Sequence, residues 1–225
     1  MGLHKILDRY QFMNKYFHGK LVKTPEGAKK LGDEIHRQIL YMIRNNMQFP
    51  DSVYPQTVYF AKTLNAMGWK PIGGEVHLSD PHLEYTTGID VVAWDAKYNC
   101  EIIIEVKTTG ATWNEASQEL ENMSLGHHDL PKTSPWSEIP EFKVDSPVSR
   151  ALAQVTLEYL RLAEERPAKR KAVVVYLFNV PPMDITQLKN ENYENYVRQF
   201  YPPEIVLSPL FYNKLITLAK PVVSS

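Results

Sequence analysis

Hydrophobic residues recur at helical spacing in the first third of the chain, and they predict two helices. The first helix follows Thr24-Pro25-Glu26, which offers a capping residue, a first-turn proline and an acid at the positive end of the helix dipole. It extends to about Met47 and carries one apolar stripe: Leu31, Ile35, Ile39, Leu40 and Ile43. A second, shorter helix is predicted from Pro55 to Met67, where Gly68 ends it.

The pattern then changes to that of β-strands. Three strand-like runs are predicted, from Ile72 to Leu78, from Tyr85 to Trp94 and from Glu101 to Lys107. A hairpin turn at residues 95–99 joins the last two runs. Because Ile102-Ile103-Ile104 is β-branched throughout, the third strand is predicted to lie inside the sheet.

Residues 108–146 show no sustained period, whereas the elements after them are clearer. A short helix is predicted from Glu115 to Met123, followed by a long loop rich in proline and glycine. Ser146-Pro147 begins a helix that runs to about Glu165, because serine caps well and proline suits the first turn. A strand is predicted from Lys171 to Asn179, and the aromatic-rich remainder is predicted to be a helical appendage and tail.

The order helix, strand, strand, strand, helix, strand predicts a mixed α/β fold, that is, an α+β arrangement around one mixed sheet. One domain accounts for all 225 residues. We expect its core over about residues 25–180 and a helical C-terminal extension over residues 181–225.

Composition narrows the class of protein. Hydrophobic residues make up 44% and charged residues 23%, which is typical of a globular protein and excludes a disordered or collagen-like chain. No run reaches the roughly 18 apolar residues that span a bilayer, so no membrane partner is expected. The formal net charge of −1 excludes a purely electrostatic nucleic-acid binder of the histone type, but it does not exclude a local basic groove.

Cysteine content and the N-terminal residues indicate the compartment. Cys100 is the single cysteine, which excludes an internal disulfide, a four-cysteine zinc site and a four-cysteine iron–sulfur cluster. The first residues interrupt their apolar positions with charges and lack a secretory hydrophobic segment. We therefore expect a cytoplasmic protein in a reducing, intracellular environment.

Two short segments carry candidate chemistry: Gly88-Ile89-Asp90 and Glu105-Val106-Lys107. Glu105 and Lys107 stand two positions apart in a strand, so their side chains share one face, which Asp90 can approach from the adjacent strand. Two carboxylates and the Val106 carbonyl would form the oxygen-rich site that Mg²⁺ or Mn²⁺ prefers. A lysine beside that site can orient an attacking water and stabilise a charged phosphate oxygen. The alternative is an exposed Glu–Lys pair on a strand.

In this order of elements, Asp90 and Glu105-Val106-Lys107 resemble the PD-(D/E)xK nuclease superfamily. Further motifs resemble its branch of RecB-type, Cas4-type and lambda-exonuclease-type nucleases. Gly32-Asp33-Glu34-Ile35-His36 matches the branch's G-x-x-x-H on the first helix, and Gly88-Ile89-Asp90 matches its G-x-D. Residues 105–110 resemble its D/E-x-K-T-G.

Two more positions extend the resemblance, which covers roughly residues 25–180. Gln154 is similar to the glutamine of the Q-x-x-x-Y motif, and Glu75 stands on the first strand where the branch often carries an acid. The chain departs from the pattern at Ile89, which replaces the proline before the acid, and at Tyr159, which lies five rather than four residues after Gln154. The single cysteine points to the cluster-free, lambda-exonuclease-like members.

The resemblance implies a restriction-endonuclease-like core with a metal-dependent active site. It assigns Mg²⁺ or Mn²⁺ to five residues, of which Glu75 would act through a water or a second ion: His36, Asp90, Glu105, Val106 through its carbonyl, and Glu75. It assigns catalysis to Asp90, Glu105, Lys107 and Gln154. Lys107 would position the water for in-line displacement at a phosphodiester, and Gln154 would form a hydrogen bond near the lysine or the substrate phosphate.

The expected function is therefore that of a metal-dependent DNA nuclease that hydrolyses phosphodiester bonds. Its expected form is an exonuclease acting on single- or double-stranded DNA ends in recombination, repair or viral genome processing. Such an enzyme would act in the cytoplasm or in another DNA-containing compartment of a host cell. Two alternatives stay open, a structure- or sequence-specific endonuclease of DNA or RNA and a non-catalytic nucleic-acid-binding module with the same fold.

Four other groups of residues each have a structural interpretation. His127-His128-Asp129 is interpreted as a surface loop, and the segment from His77 to Glu84 as a polar turn between strands, in preference to metal clusters. Trp113 and Trp136 either stack on unpaired bases or anchor their loop in the core. The basic residues at 166 and 169–171 form either a phosphate track or a solvated turn.

Overall fold

Two helices and three long strands form the first half of the protein. The computed structural model describes residues 26–110, 112–114, 119–121, 128–129, 132, 134–142, 144–180 and 192–219. Helix α1 spans Glu26–Arg44 and helix α2 spans Pro55–Met67. Strands β1, β2 and β3 span Trp69–Asp80, Tyr85–Asp95 and Cys100–Thr109.

The second half combines short elements with one long helix and one long strand. The short strands are β4 (Thr112–Asn114), β5 (Glu119–Glu121), β6 (His128–Asp129) and β7 (Val144–Asp145). Helix α3 (Pro147–Glu165) and strand β8 (Arg170–Phe178) follow. Strand β9 (Val197–Phe200) and helix α4 (Pro209–Ala219) come last, and three 3-10 turns lie at Pro140–Phe142, Tyr193–Tyr196 and Glu204–Leu207.

One five-stranded mixed sheet with the order β1-β2-β3-β8-β9 organises these elements. Strands β1, β2 and β3 are antiparallel neighbours, β8 runs parallel to β3, and β9 runs antiparallel to β8. A parallel neighbour requires a crossover, and α3 supplies it between β3 and β8. The prediction of a mixed sheet with helices before and after three strands is confirmed, and so is the presence of a C-terminal helix.

Helices cover both faces of the sheet. Helices α1 and α2 pack on the face that carries Ile102, Ile104 and Val173, whereas α3 and α4 pack on the face that carries Ile103 and Val174. Because both faces are buried, β3 and β8 need apolar side chains at successive positions rather than at alternate ones. This requirement explains the continuous β-branched runs that the sequence showed.

The ends of the predicted helices agree with their capping signals. Gly68 ends α2 in the left-handed conformation, with φ of 67°, a backbone that glycine adopts at little cost. Ser146 begins α3, and its hydroxyl accepts a hydrogen bond from the Ser149 amide while the Ser149 hydroxyl accepts one from the Ser146 amide. Thr24 and Pro25 lie outside the described residues. Within the described ranges, none of the helices has both the length and the apolarity to cross a membrane.

Two predictions about elements are wrong. A helix from Glu115 to Met123 does not form across Glu119–Glu121, because these residues pair with Thr112–Asn114 in a two-stranded ladder that uses the same backbone groups. The C-terminal segment is not purely helical, since Val197–Phe200 adds β9 to the edge of the main sheet. Its last helix contributes Phe211 to the core on the α3 face.

Candidate active site

Strands β2 and β3 separate near the middle of the sheet, and this fork creates the candidate site. Their ladder ends at the pair Val91–Ile104. The next outward amide of β3, that of Val106, donates to Asp90 Oδ2 at 2.8 Å instead of to a strand carbonyl. A buried amide needs an acceptor, so the carboxylate of Asp90 stabilises the open end of the fork.

The backbone of β2 is irregular at Asp90. Ile89 packs on the α3 face and Val91 on the α1 face, although alternate residues of a regular strand share a face. In the ladder with β1, Gly74 pairs with Val91 and Val76 pairs with Ile89, and Glu75 between them has φ of 55°. A positive φ is strained for a residue other than glycine. This irregular step directs Asp90 along the fork.

A close approach of α1 to the end of β3 brings His36 to the fork. A Cβ on Gly32 would lie 2.8 Å from Thr108 Oγ1, which is closer than real Cβ contacts. Glycine therefore lets the helix pack against β3 at this position. One turn further along α1, His36 Nδ1 lies 3.4 Å from Asp90 Oδ1. We call His36 and Asp90 the outer pair, because a third and about a fifth of their side chains (33% and 22%) are exposed.

The environment of His36 favours its protonated form. Burial alone would lower the pKa of the imidazole. The contact with the Asp90 carboxylate and the charge of Glu105 together outweigh burial and the charge of Lys107, so the pKa of His36 is raised above its ordinary value of 6.5. A metal ion would have to displace this proton.

A cavity of about 70 Å³ lies beside the outer pair and is lined by His36, Ile39, Leu40, Glu75, Asp90 and Val106. Roughly 10–15 Å³ of accessible space holds one water, so the cavity has room for several. Glu75 lies at its exposed rim and pairs with Arg44, with Oε2 and Nη2 3.3 Å apart. Two carboxylates and one imidazole thus line the cavity.

On the opposite side of the fork, Glu105, Lys107 and Gln154 are bonded to one another. Lys107 Nζ donates to Glu105 Oε1 and, at 3.0 Å, to Gln154 Oε1. Gln154 Nε2 donates to Glu105 Oε1 at 2.6 Å. The predicted common face of Glu105 and Lys107 is therefore confirmed, and Gln154 lies beside the lysine as the resemblance implied.

The sequence reasoning missed Glu158, which belongs to the same group. Its Oε1 accepts hydrogen bonds from Gln154 Nε2 at 3.0 Å and from Thr87 Oγ1 at 2.8 Å, and its side chain is fully buried. A signal for it exists, because Glu158 interrupts the buried stripe formed by Ala151, Val155 and Leu162. We call Glu105, Lys107, Gln154 and Glu158 the inner cluster.

Burial dominates the electrostatics of the inner cluster. It raises the pKa of Glu105 to about 7, an effect that Lys107 reduces and Asp90 increases. Burial and the nearby charge of Glu105 also raise the pKa of Glu158 well above 4.5. Burial lowers the pKa of Lys107, but the carboxylates of Glu105, Asp90 and Glu158 together outweigh burial, so this pKa is raised. The cluster therefore holds a cationic lysine beside carboxyl groups that keep protons unusually well.

The residues fit a hard divalent cation in their chemistry, although no three His, Cys, Asp or Glu side chains in the described ranges converge tightly enough to hold an ion as they stand. The reason is that Glu105 Oε1 is directed to Lys107 and Gln154. Its other oxygen, Oε2, is buried without a hydrogen-bond partner. A buried carboxylate oxygen of this kind is costly unless a ligand binds it, and oxygen donors suit Mg²⁺ or Mn²⁺.

The segment from His77 to Glu84 was expected to be a polar turn, but residues 77–80 belong to β1 and only residues 81–84 form the turn. The segment has a structural role. Asp80 is buried, and its Oδ1 accepts from the amides of His82 and Leu83 at 2.8 and 2.9 Å. Its Oδ2 accepts from the Tyr212 hydroxyl at 2.6 Å, which ties α4 to the turn. The side chains of residues 127–129 lie outside the described part.

The two remaining groups also have structural roles. Trp136 is fully buried against Phe142 and Phe211, with ring centroids 4.8 and 4.7 Å away, so it anchors its segment in the core. The side chain of Trp113 is not described. Among the basic residues, Arg166 and Arg170 both pair with Glu101, at 3.1 and 2.7 Å.

Comparisons with protein-family models and with curated proteins find no match for this chain. The case for a function therefore rests on the geometry of the outer pair, the inner cluster and the cavity.

Proposed function

We propose that the protein is a metal-dependent nuclease that hydrolyses phosphodiester bonds of DNA. One observation carries the proposal: a cationic lysine and a buried carboxylate with an unpartnered oxygen lie at the same fork between β2 and β3 as the His36–Asp90 pair and its cavity. A structural ion pair has no need of an adjacent cavity, whereas a site for a cation and a phosphate does.

Four residues would hold a divalent cation at the fork. These are His36, Asp90, Glu105 through its free Oε2, and Val106 through its carbonyl, with Glu75 at the rim of the same cavity. When bound, Mg²⁺ or Mn²⁺ would supply positive charge for a phosphate oxygen and lower the pKa of a coordinated water. Asp90 is already fixed by the Val106 amide, which preorganises one carboxylate for this role.

The protein's own groups would orient the nucleophile and balance charge. Lys107 Nζ is held by Glu105 and Gln154, and about a third of the lysine side chain is exposed, so the ammonium can donate its remaining proton to a water or to a phosphate oxygen. Glu105 would balance the positive charge of Lys107 through the contact of its Oε1 with Nζ. Gln154 would keep the lysine in place. The resemblance adds the narrower proposal that the enzyme acts as an exonuclease on DNA ends.

The test is cleavage of end-labelled linear DNA, covalently closed circular DNA and RNA with Mg²⁺, Mn²⁺ or EDTA. Lys107→Ala is the inactive variant, and Lys70→Ala, which removes an exposed strand lysine, is the matched control. We expect metal-dependent loss of linear DNA that Lys107→Ala abolishes and Lys70→Ala retains.

The other outcomes separate the alternatives. Cutting of circular DNA would replace the exonuclease proposal with the endonuclease alternative, and cleavage of RNA alone would change the substrate. If none of the three substrates is cleaved by the wild type, the catalytic proposal is wrong, and retained DNA binding would favour the non-catalytic module.

A further inference from the structure

Glu158 is a buried carboxyl group that the proposed chemistry does not use, although it contacts the residues that do. It lies one helical turn after Gln154 on α3 and accepts a hydrogen bond from that amide at 3.0 Å. It also accepts from the Thr87 hydroxyl at 2.8 Å. A carboxyl group in a buried apolar stripe is costly and needs such partners.

The contacts of Glu158 cross the fork between β2 and β3. Thr87 lies on β2 and Lys107 on β3, both beyond the Val91–Ile104 pair where the ladder ends. From Thr87 the hydrogen bonds run through Glu158 and Gln154 to Lys107. Side-chain bonds thus connect two strands that have no backbone bonds there.

These contacts also determine the orientation of the Gln154 amide. Both of its donor positions are used, one by Glu105 Oε1 at 2.6 Å and one by Glu158 Oε1 at 3.0 Å. Its carbonyl oxygen therefore faces Lys107 and accepts from Nζ at 3.0 Å. An ammonium group has only donors, so a reversed amide would set donor against donor at Lys107.

We propose that Glu158 is a positioning residue: its hydrogen bond fixes the Gln154 amide and, through it, the place of the Lys107 ammonium beside Glu105. The inference rests on the proposed nuclease function of the same site. Without Glu158, one N–H of Gln154 loses its acceptor, the amide can rotate, and the lysine loses a fixed partner. Glu158 itself is not expected to touch the substrate.

The experiment compares Glu158→Leu with Glu158→Gln, which keeps a carbonyl oxygen as the acceptor. Thr156→Val on the same helix is the matched control, since Thr156 is a buried polar residue whose hydroxyl donates only within α3, to the Leu152 carbonyl at 2.7 Å. Two readouts are used: steady-state DNA hydrolysis, and the side-chain amide signals of Gln154 in ¹H–¹⁵N spectra, assigned by their loss in Gln154→Glu.

We expect Glu158→Leu to lower kcat about ten- to hundredfold with KM within about twofold, the size usual for residues that orient an active-site group. The Gln154 signals should move to the positions of a free amide and exchange faster with solvent. Glu158→Gln and Thr156→Val should keep both properties near those of the wild type. Thr87→Val removes the other donor to Glu158 and should shift the Gln154 signals less than Glu158→Leu does. It replaces Glu158→Leu in the experiment if that variant does not fold.

Two results would overturn the inference: wild-type Gln154 signals in Glu158→Leu, or an equal loss of kcat in Thr156→Val. Failure of the proposed function is distinguishable from both. A wild type that cleaves no nucleic acid, while Glu158→Leu still releases the Gln154 amide, would contradict the nuclease proposal and support the positioning of Gln154 by Glu158.

Discussion

The inner cluster and the outer pair lie on opposite sides of the same fork, and they differ in how completely they are fixed. In the inner cluster, Gln154 uses both donor positions and its acceptor, and Glu158 is fully buried. In the outer pair, His36 and Asp90 touch across 3.4 Å, remain partly exposed and border a cavity of about 70 Å³. One side of the fork is fixed in place and the other is open to a ligand.

This difference separates two requirements that an active site has to meet together. A lysine beside buried carboxyl groups needs a rigid, low-dielectric surrounding to keep its charge and position. A metal ion and a phosphate need space and access to solvent. The fork meets both, because Asp90 closes its backbone gap through the Val106 amide and still directs its second oxygen toward His36. Changes to the inner cluster should therefore affect stability as well as activity, whereas changes to the outer pair should affect mainly ligand binding.

The largest effect is expected from Lys107→Met, which leaves Glu105 buried without its cation. Removal of one partner from a buried ion pair costs about 3–5 kcal/mol in free energy of unfolding, and we expect a loss near the lower end because the partly exposed lysine is screened by solvent. Urea unfolding at about pH 8 measures it. The double variant with Glu105→Gln should recover most of the loss, and an unchanged unfolding free energy in the single variant would contradict the assigned ion pair.

The next effect is a pH dependence of stability that Glu105→Gln should remove. The pKa of Glu105 is raised from 4.5 to about 7 by burial, so the folded state holds the proton more tightly than the unfolded state. Protonated Glu105 therefore contributes its full stabilisation of the folded state below about pH 4.5, and this contribution is lost as the pH rises through about 7. A difference of this size between the pKa of Glu105 in the folded and unfolded states corresponds to about 3 kcal/mol in free energy of unfolding. Over this pH range, the free energy of unfolding of the wild type should fall by about 3 kcal/mol more than that of Glu105→Gln. If the two proteins lose stability in parallel as the pH rises, the prediction is wrong.

A smaller effect is expected at the contact that brings the outer pair to the fork. Gly32→Ala would place a Cβ 2.8 Å from Thr108 Oγ1, so α1 must move and His36 with it. We expect a loss of about 1–3 kcal/mol by thermal or urea unfolding, together with lower activity. Gly27→Ala is the matched control, because it lies on the same helix with nothing within 4 Å. Since alanine favours helix by about 1 kcal/mol, the control should be neutral or stabilised.

A second variant tests the cause of the Gly32 effect. Thr108→Ala removes the hydroxyl that a new Cβ would meet, so it should restore part of the stability lost in Gly32→Ala. Equal losses with and without Thr108→Ala would mean that another contact makes the glycine necessary.

Most of the fold could be predicted from the sequence because its signals are local. Gly68 ends α2 and Ser146 begins α3 through capping preferences that act within one turn. The β-branched runs in β3 and β8 indicate strands buried on both faces. Strand β9 was not predicted because it becomes a strand only by pairing with β8. The helix predicted across Glu119–Glu121 was wrong for a similar reason, since these residues pair with another strand.

In the candidate site, too, the features that local sequence patterns report could be predicted, and those that depend on contacts between elements could not. The common face of Glu105 and Lys107 follows from the two-residue period of a strand, and sequence reasoning predicted it. The positive φ of Glu75 and the change of face at Asp90 depend on how β1 and β2 pair, which no local pattern reports. Glu158 was missed because its partner Thr87 lies on another element, and the periodicity of a helix does not report such a contact.

The smallest effect on stability, and the most direct test of the outer pair, is expected for His36→Ala. The imidazole is a third exposed and borders a cavity, so its removal should change the free energy of unfolding by less than about 1 kcal/mol. Its loss should nevertheless weaken Mn²⁺ binding, measured by calorimetric titration, by about ten- to a hundredfold, because an ion in the cavity loses its nitrogen donor. His77→Ala, which removes an exposed histidine of β1, should keep the wild-type affinity. If His36→Ala destabilises the fold as much as Lys107→Met while Mn²⁺ affinity stays unchanged, the two sides of the fork do not divide their roles as we infer, and the ion, if it binds, binds elsewhere.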